Sequence, residues 1–148
     1  MEDLSLAKIV YAGDELFIAT TPSGHAQVLD TDSKRASAAS PMELLLIALG
    51  SCTAVDVVSI LYKKRERVTS YEVEVRGERR DEYPRGFRTL EVHHILRGHD
   101  LSARAVETAI RLSEEKYCSV AASLRPAAEI TSRFTILPAT ANEDASAT

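Results

Sequence analysis

The stretch "SPMELLLIALGSCTAVDVVSIL", Ser40 to Leu61, decides how the rest of the chain is read. Ser40 is placed to cap a helix, Pro41 falls at its first position and Glu43 at its third. This is a capping box, with the proline where no backbone N–H is missed. The spacing predicts a helix running to about Arg67, where "KKRER" is charged and its basic residues suit a helix C-terminus. The first half of this helix is apolar all round, so it is expected to be buried on every side. Inside it stand one cysteine, Cys52, and one carboxylate, Asp56.

Upstream, "LAKIVYAG", "ELFIATTP" and "HAQVLDT" are β-rich and are broken at Gly13-Asp14 and Pro22-Ser23-Gly24. "SKRASAAS" reads as a loop. Downstream, "YEVEVRGERR" alternates, with Tyr71, Val73 and Val75 on one face, and pairs as a hairpin with "FRTLEVHHILRG" across the turn "DEYPRG". "HDLSARAVETAIRLSEEKY" is an amphipathic helix capped by Ser102, with a stripe of Val106, Ala109, Ile110, Ser113 and Tyr117. A short helix follows Cys118 and stops at Pro126, and "AEITSRFTIL" is a last strand. The order β-β-β-α-β-β-α-β argues for an α+β fold with antiparallel sheet. A helix apolar on all sides needs more cover than one small sheet provides, and a dimer would supply it. Residues 1–137 read as one domain, and 138–148, small and polar, as a disordered tail.

The chain has 148 residues, 45% hydrophobic and 27% charged, which is enough for a real core. A net charge of −4 and the absence of Trp argue against a nucleic-acid partner. The N-terminus lacks the basic and apolar regions of a secretory signal, and the longest unbroken apolar run, Leu44 to Leu49, is far short of a membrane span. A cytoplasmic protein with no membrane partner is expected. Its two cysteines would then be kept reduced and would not form a permanent staple.

Two buried cysteines are ordinarily small core hydrophobes. Cys118, however, lies where one helix yields to the next, and a helix N-terminus there would favour its thiolate. Glu43 is explained by the capping box. Nine residues before Cys52, it is about half a turn out of phase and roughly 13 Å away along a straight helix, so it could reach a cysteine only in another subunit. Asp56 lies one turn after Cys52 on the same face, and calls for a cationic partner in a buried ion pair. His93 and His94 point to opposite faces of a strand, and His25 and His99 sit near turns. No Cys or His pair has zinc-site spacing and no phosphate-binding glycine loop is present, so neither a metal nor a cofactor is expected.

Taken together, "SPMELLLIALGSCTAVDVVSIL", "DEYPRGF" and "LSEEKYCSVAASL" resemble the OsmC/Ohr family of osmotically inducible and organic-hydroperoxide-resistance proteins, closest to its YhfA-like branch. The resemblance covers roughly residues 25 to 137. It implies an intertwined α+β homodimer with antiparallel sheets around long buried central helices. It also implies a cofactor-free cysteine peroxidase, in which Cys52 attacks an organic hydroperoxide, Cys118 resolves the sulfenic acid as a disulfide and a dithiol reductant restores the thiols. One departure stands out. The peroxidase members carry a catalytic glutamate right after the helix-starting proline, where this chain has Met42, with Glu43 one place on. The family's active-site arginine has no clear match either: Arg35, in the loop, is the one arginine before the helix and, with Glu43 and Asp56, a candidate supporting residue. Leu45, Leu49 and Val55 are expected to line an alkyl pocket. A redox-responsive or ligand-binding dimer without efficient turnover, and another thiol reaction in the same pocket, are the alternatives.

Overall fold

The computed structural model describes residues 5–142, in two compact units that divide at residues 45 and 46. In the first unit, β1 (Lys8–Gly13), β2 (Leu16–Thr20) and β3 (Ala26–Asp30) form an antiparallel meander in that order. The β1–β2 connection is tight because Asp14 and Glu15 both adopt positive φ (51° and 59°), the pattern of a two-residue turn matched to strand twist. The β2–β3 turn closes through Gly24 N–H to Thr21 O, with Gly24 at φ 87°. These three strands fall where the sequence places them.

The long helix α1 (Pro41–Lys63) starts as the capping box requires: Glu43 N–H donates to Ser40 Oγ at 3.3 Å, and Ser40 N–H donates to Glu43 Oε2 at 2.7 Å. It ends four residues before the expected Arg67. Arg65 takes a left-handed conformation (φ 60°), its N–H bonds to Tyr62 O, and Glu66 N–H bonds to Leu61 O. That is a Schellman closure with arginine where glycine is usual, and no glycine in "KKRER" advertises it.

The second unit holds β4 (Arg67–Arg79), β5 (Phe87–His99), α2 (Ala103–Leu112), a π-helical turn (Ser113–Tyr117), α3 (Ser119–Leu124) and β6 (Glu129–Pro138). The hairpin β4–β5 is antiparallel as expected, but the sheet is mixed. β6 pairs parallel to β5, from Thr89↔Glu129 to Gly98↔Pro138. The reason is the connection through residues 100–128, whose helices carry the chain back to the start of β5 before β6 begins. β5 is the central strand, and Leu90, Val92, His94, Leu96 and Gly98 alternate onto its buried face. The core joins Val57 and Leu61 of α1, Leu96 of β5 and Val106, Ala109 and Ile110 of α2, with Phe134 and Ile136 of β6 against them.

Within the single chain, among the described residues, Leu49, Gly50, Thr53, Val57 and Leu61 of α1 are buried, whereas Ile47 (59% exposed), Val55 (60%) and Tyr62 (83%) form an open apolar stripe, the face for which the sequence calls on a dimer for cover. Two further expectations are corrected. At 23 residues α1 is also long and apolar enough to span a bilayer by length and composition, because Gly, Ala, Cys and Thr extend the apolar window beyond Leu44–Leu49. Tyr117 leaves the buried stripe of α2, because the π turn inserts a residue after Ser113 and rotates the later positions out of phase. Most of the expected tail, residues 143–148, lies outside the described residues.

Candidate functional site

Cys52 sits on α1 and Cys118 at the junction of the π turn and α3, so the second unit brings the two motifs together. Both are free thiols, Cys118 buried and Cys52 half-buried, and they are neighbours near enough for the Cys52 thiol to act on the titration of Cys118. Cys118 is the N-cap of α3. Its backbone is extended (φ −74°, ψ 98°) and its Sγ accepts from Ala121 N–H at 3.4 Å. That bond favours the thiolate, as the sequence suggests for a helix start, but it is outweighed. Burial, the Cys52 thiol and the charge of Asp56 together push Cys118 up to about 11. Cys118 is therefore a neutral thiol at pH 7, and Cys52 is the sulfur that solvent reaches.

Asp56 lies one turn beyond Cys52, as the spacing requires, but its partner is not a cation. Ser113 Oγ donates to Asp56 Oδ2 at 2.8 Å, and Ser113 Oγ stands 3.0 Å from Thr53 Oγ1. A serine has one hydroxyl proton, so Thr53 donates to Ser113 and Ser113 to Asp56. The expected ion pair is replaced by a hydroxyl relay, which desolvates fewer charges. Ser113 also accepts Cys118 N–H through its backbone carbonyl at 2.8 Å. Neither Thr53 nor Ser113 stands out as a site residue in the sequence. Their one signal is a hydroxyl on each buried helix face beside a cysteine motif.

A second polar pair lies in the same unit. His94, wholly buried on β5, stacks on Tyr71 of β4 (ring centroids 6.0 Å apart, interplanar angle 13°), and its Nδ1 is 2.6 Å from Tyr71 Oη. Its Nε2 has no hydrogen-bond partner among the described residues. Burial lowers His94 to about 4, so the ring is neutral near pH 7, and burial together with the charge of Asp56 holds the Tyr71 phenol above its usual range. His93, on the opposite face as the alternation requires, bonds Thr135 Oγ1 at 2.8 Å.

In the first unit, Glu43 is committed to the cap, and its bonds to Ser40 hold its carboxyl below the usual range. Arg35 is gripped by carboxylates. Its Nε and Nη2 donate to Asp30 at 2.8 and 2.9 Å, and its Nη1 donates to Asp14 Oδ2 at 2.7 Å. Asp30 also accepts from Ser37 N–H and Oγ and from Asp32 N–H, so a carboxylate with no exposed side-chain surface is fully satisfied and stays ionised well below the usual range. The expected pocket residues Leu45, Leu49 and Val55 do not line the cleft of about 430 Å³ between α1 and β4. Leu46, Ile47, Gly50, Ala54, Tyr71 and Val75 do.

Two neighbouring cysteines, one at the middle of a long apolar helix and one capping a short helix after a π turn, in a chain with two small sheets and helices, match one family. The model for OsmC-like protein fits residues 32–133, and the chain belongs to that family. It is 43% identical to protein YhfA of Escherichia coli (strain K12) over 133 residues, which cover 90% of this chain and 98% of YhfA. A hypothetical protein of Aquifex aeolicus VF5, 29% identical, superposes with a TM-score of 0.83 over 94% of this chain and all of that one. The organic hydroperoxide resistance protein OhrB of Bacillus subtilis shares the fold, with a TM-score of 0.62 at 13% identity over 89% of this chain and 98% of OhrB.

Proposed function

We propose that the protein is a cytoplasmic, homodimeric thiol peroxidase that reduces organic hydroperoxides in defence against oxidative stress. The observation that carries this reading is the pairing of Cys52 and Cys118 as neighbouring thiols, one half-buried and one buried, in a chain of the OsmC-like family. The Cys52 thiolate attacks the distal peroxide oxygen, the O–O bond breaks, and the alkoxide takes a proton and leaves as alcohol, so Cys52 becomes a sulfenic acid. Cys118 then attacks the Cys52 sulfur. A disulfide forms and water departs, carrying the Cys118 proton. An external dithiol reduces the disulfide and closes the cycle. The difference in burial supports this division of roles: the accessible sulfur meets the oxidant and the buried one waits as a thiol. No metal, cofactor or nucleic acid enters the scheme.

The open stripe of Ile47, Val55 and Tyr62 supports a second copy of the chain as the partner of α1. Across such a dimer, Glu43 and Arg35 are the supporting residues that could be offered to the other subunit's cysteines.

A redox-responsive or ligand-binding dimer is the second reading. It is favoured by Met42 at the glutamate position and by the engagement of Arg35 with Asp30 and Asp14. Steady-state consumption of cumene hydroperoxide with supplied dithiothreitol separates the two. Turnover that Cys52→Ala abolishes supports the peroxidase; turnover unchanged in Cys52→Ala, or none in the parent, sinks it.

A further inference from the structure

The relay that replaces the expected ion pair does more than satisfy a carboxylate. Ser113 is wholly buried and uses both of its polar groups. Its hydroxyl ties Asp56 and Thr53 of α1 to the π turn, and its carbonyl holds the N–H of Cys118. Thr53 is 4% exposed and directly follows Cys52, and Asp56 is one helical turn beyond it. The two cysteines are thus bracketed by one chain of hydrogen bonds, Thr53 to Ser113 to Asp56 by side chains and Ser113 to Cys118 by backbone. Single π turns are unusual local arrangements that occur often at functional sites. Here the turn points the Ser113 hydroxyl at α1 while its carbonyl reaches five residues on to Cys118.

We propose that the Thr53–Ser113–Asp56 relay is the positioning device that keeps the Cys118 sulfur on Cys52, so that its loss uncouples oxidation of Cys52 from closure of the disulfide. The proposal deepens the peroxidase reading and rests on it for the oxidant, but the closure step can be driven separately. Diamide takes two hydrogens from the pair: one thiolate adds to its N=N bond, the other displaces the hydrazine, and the S–S bond forms. This step requires only that the two sulfurs be held together. Asp56 acts through its bond to Ser113, as a positioning residue.

The test compares the full chain with Ser113→Ala, Asp56→Ala and Asp56→Asn, each treated with limiting diamide and separately with one equivalent of cumene hydroperoxide. Intact mass and peptide mapping identify the products, and iodoacetamide alkylation of Cys52 is timed in parallel. Loss of the Ser113–Asp56 hydrogen bond slows closure about tenfold in Ser113→Ala and Asp56→Ala. Asp56→Asn keeps an acceptor for Ser113 and closes near the parent rate. Cys52 alkylation stays within about twofold throughout, which a general loosening of the fold would not allow. With hydroperoxide, the two Ala variants gain oxygen on Cys52 where the parent loses two hydrogens. Closure in Ser113→Ala and Asp56→Ala as fast as in the parent overturns the proposal, and so does failure of the parent to close with diamide. A parent that closes with diamide but leaves hydroperoxide untouched refutes the peroxidase reading while the positioning role stands.

Discussion

His94 gives a pH dependence of stability that falls above the range of the carboxylates. Its imidazole is wholly buried and lowered to about 4 from 6.5, chiefly by burial, so the folded chain holds it neutral while the unfolded chain protonates it. The sign comes from proton counting. Between pH 6.5 and 4 the unfolded state binds the extra proton, so stability is full above about 6.5 and falls as the pH drops toward 4. The gap corresponds to about 3 kcal/mol, or a slope of about 1.4 kcal/mol per pH unit. With a urea m-value of about 2 kcal/mol/M, the midpoint falls by about 1.5 M over that window. The assay is urea unfolding at fixed protomer concentration, from pH 7.5 to 4, for the parent and His94→Gln. Glutamine still offers Tyr71 an acceptor but does not titrate. The slope difference between the two isolates His94 from the Asp30 and Glu43 carboxylates, whose lowered values shift their own losses to more acid pH. Parallel curves for parent and His94→Gln across pH 4 to 6.5 would refute the reasoning.

Ser40→Ala removes the cap bond to Glu43 N–H and is expected to cost about 1 kcal/mol, read as a lower melting temperature, while Glu43→Gln keeps the box and stays near the parent. Gly98→Ala would drive a Cβ into Arg67 O and set it 2.8 Å from Leu101 Cγ; overpacking of about 1–3 kcal/mol should lower the melting temperature by several degrees, and an unchanged melt counts against the packing. Because burial holds Cys118 near 11, its alkylation by iodoacetamide should climb about tenfold per pH unit from pH 8 to 10, and a plateau below pH 9 would contradict that cause.

Most of what is legible in the sequence is local. The box of Ser40, Pro41 and Glu43 is complete within four residues, and the Ser102 cap accepts from Ala105 N–H as its position predicts. The alternation in β4 and β5 puts His93 and His94 on opposite faces. The features that escape depend on distant partners. The parallel pairing of β6 is decided by the path of residues 100–128, and no periodicity within β6 encodes it. A carboxylate in an apolar helix suggests a cation nearby, whereas the partner of Asp56 is a serine 57 positions away within an apolar stripe. The π turn has no composition of its own, so helical spacing alone puts Tyr117 on the buried face. The meeting of Cys52 with Cys118 is legible in the resemblance of the motifs, not in their spacing.

The central position of β5 has a kinetic corollary. β4 finds β5 through a short hairpin, but β6 can dock only after residues 100–128 have looped back, and Cys118 rides on that loop. Closing a loop of that length is slower than zipping a hairpin, so the thiols meet later than β4 and β5 pair. A nascent or partly folded chain carries two separate, ordinary thiols. The pair acquires its chemistry only when the segment that carries Cys118 has packed on α1, and the rate of its crosslinking is therefore a clock for that long-range step.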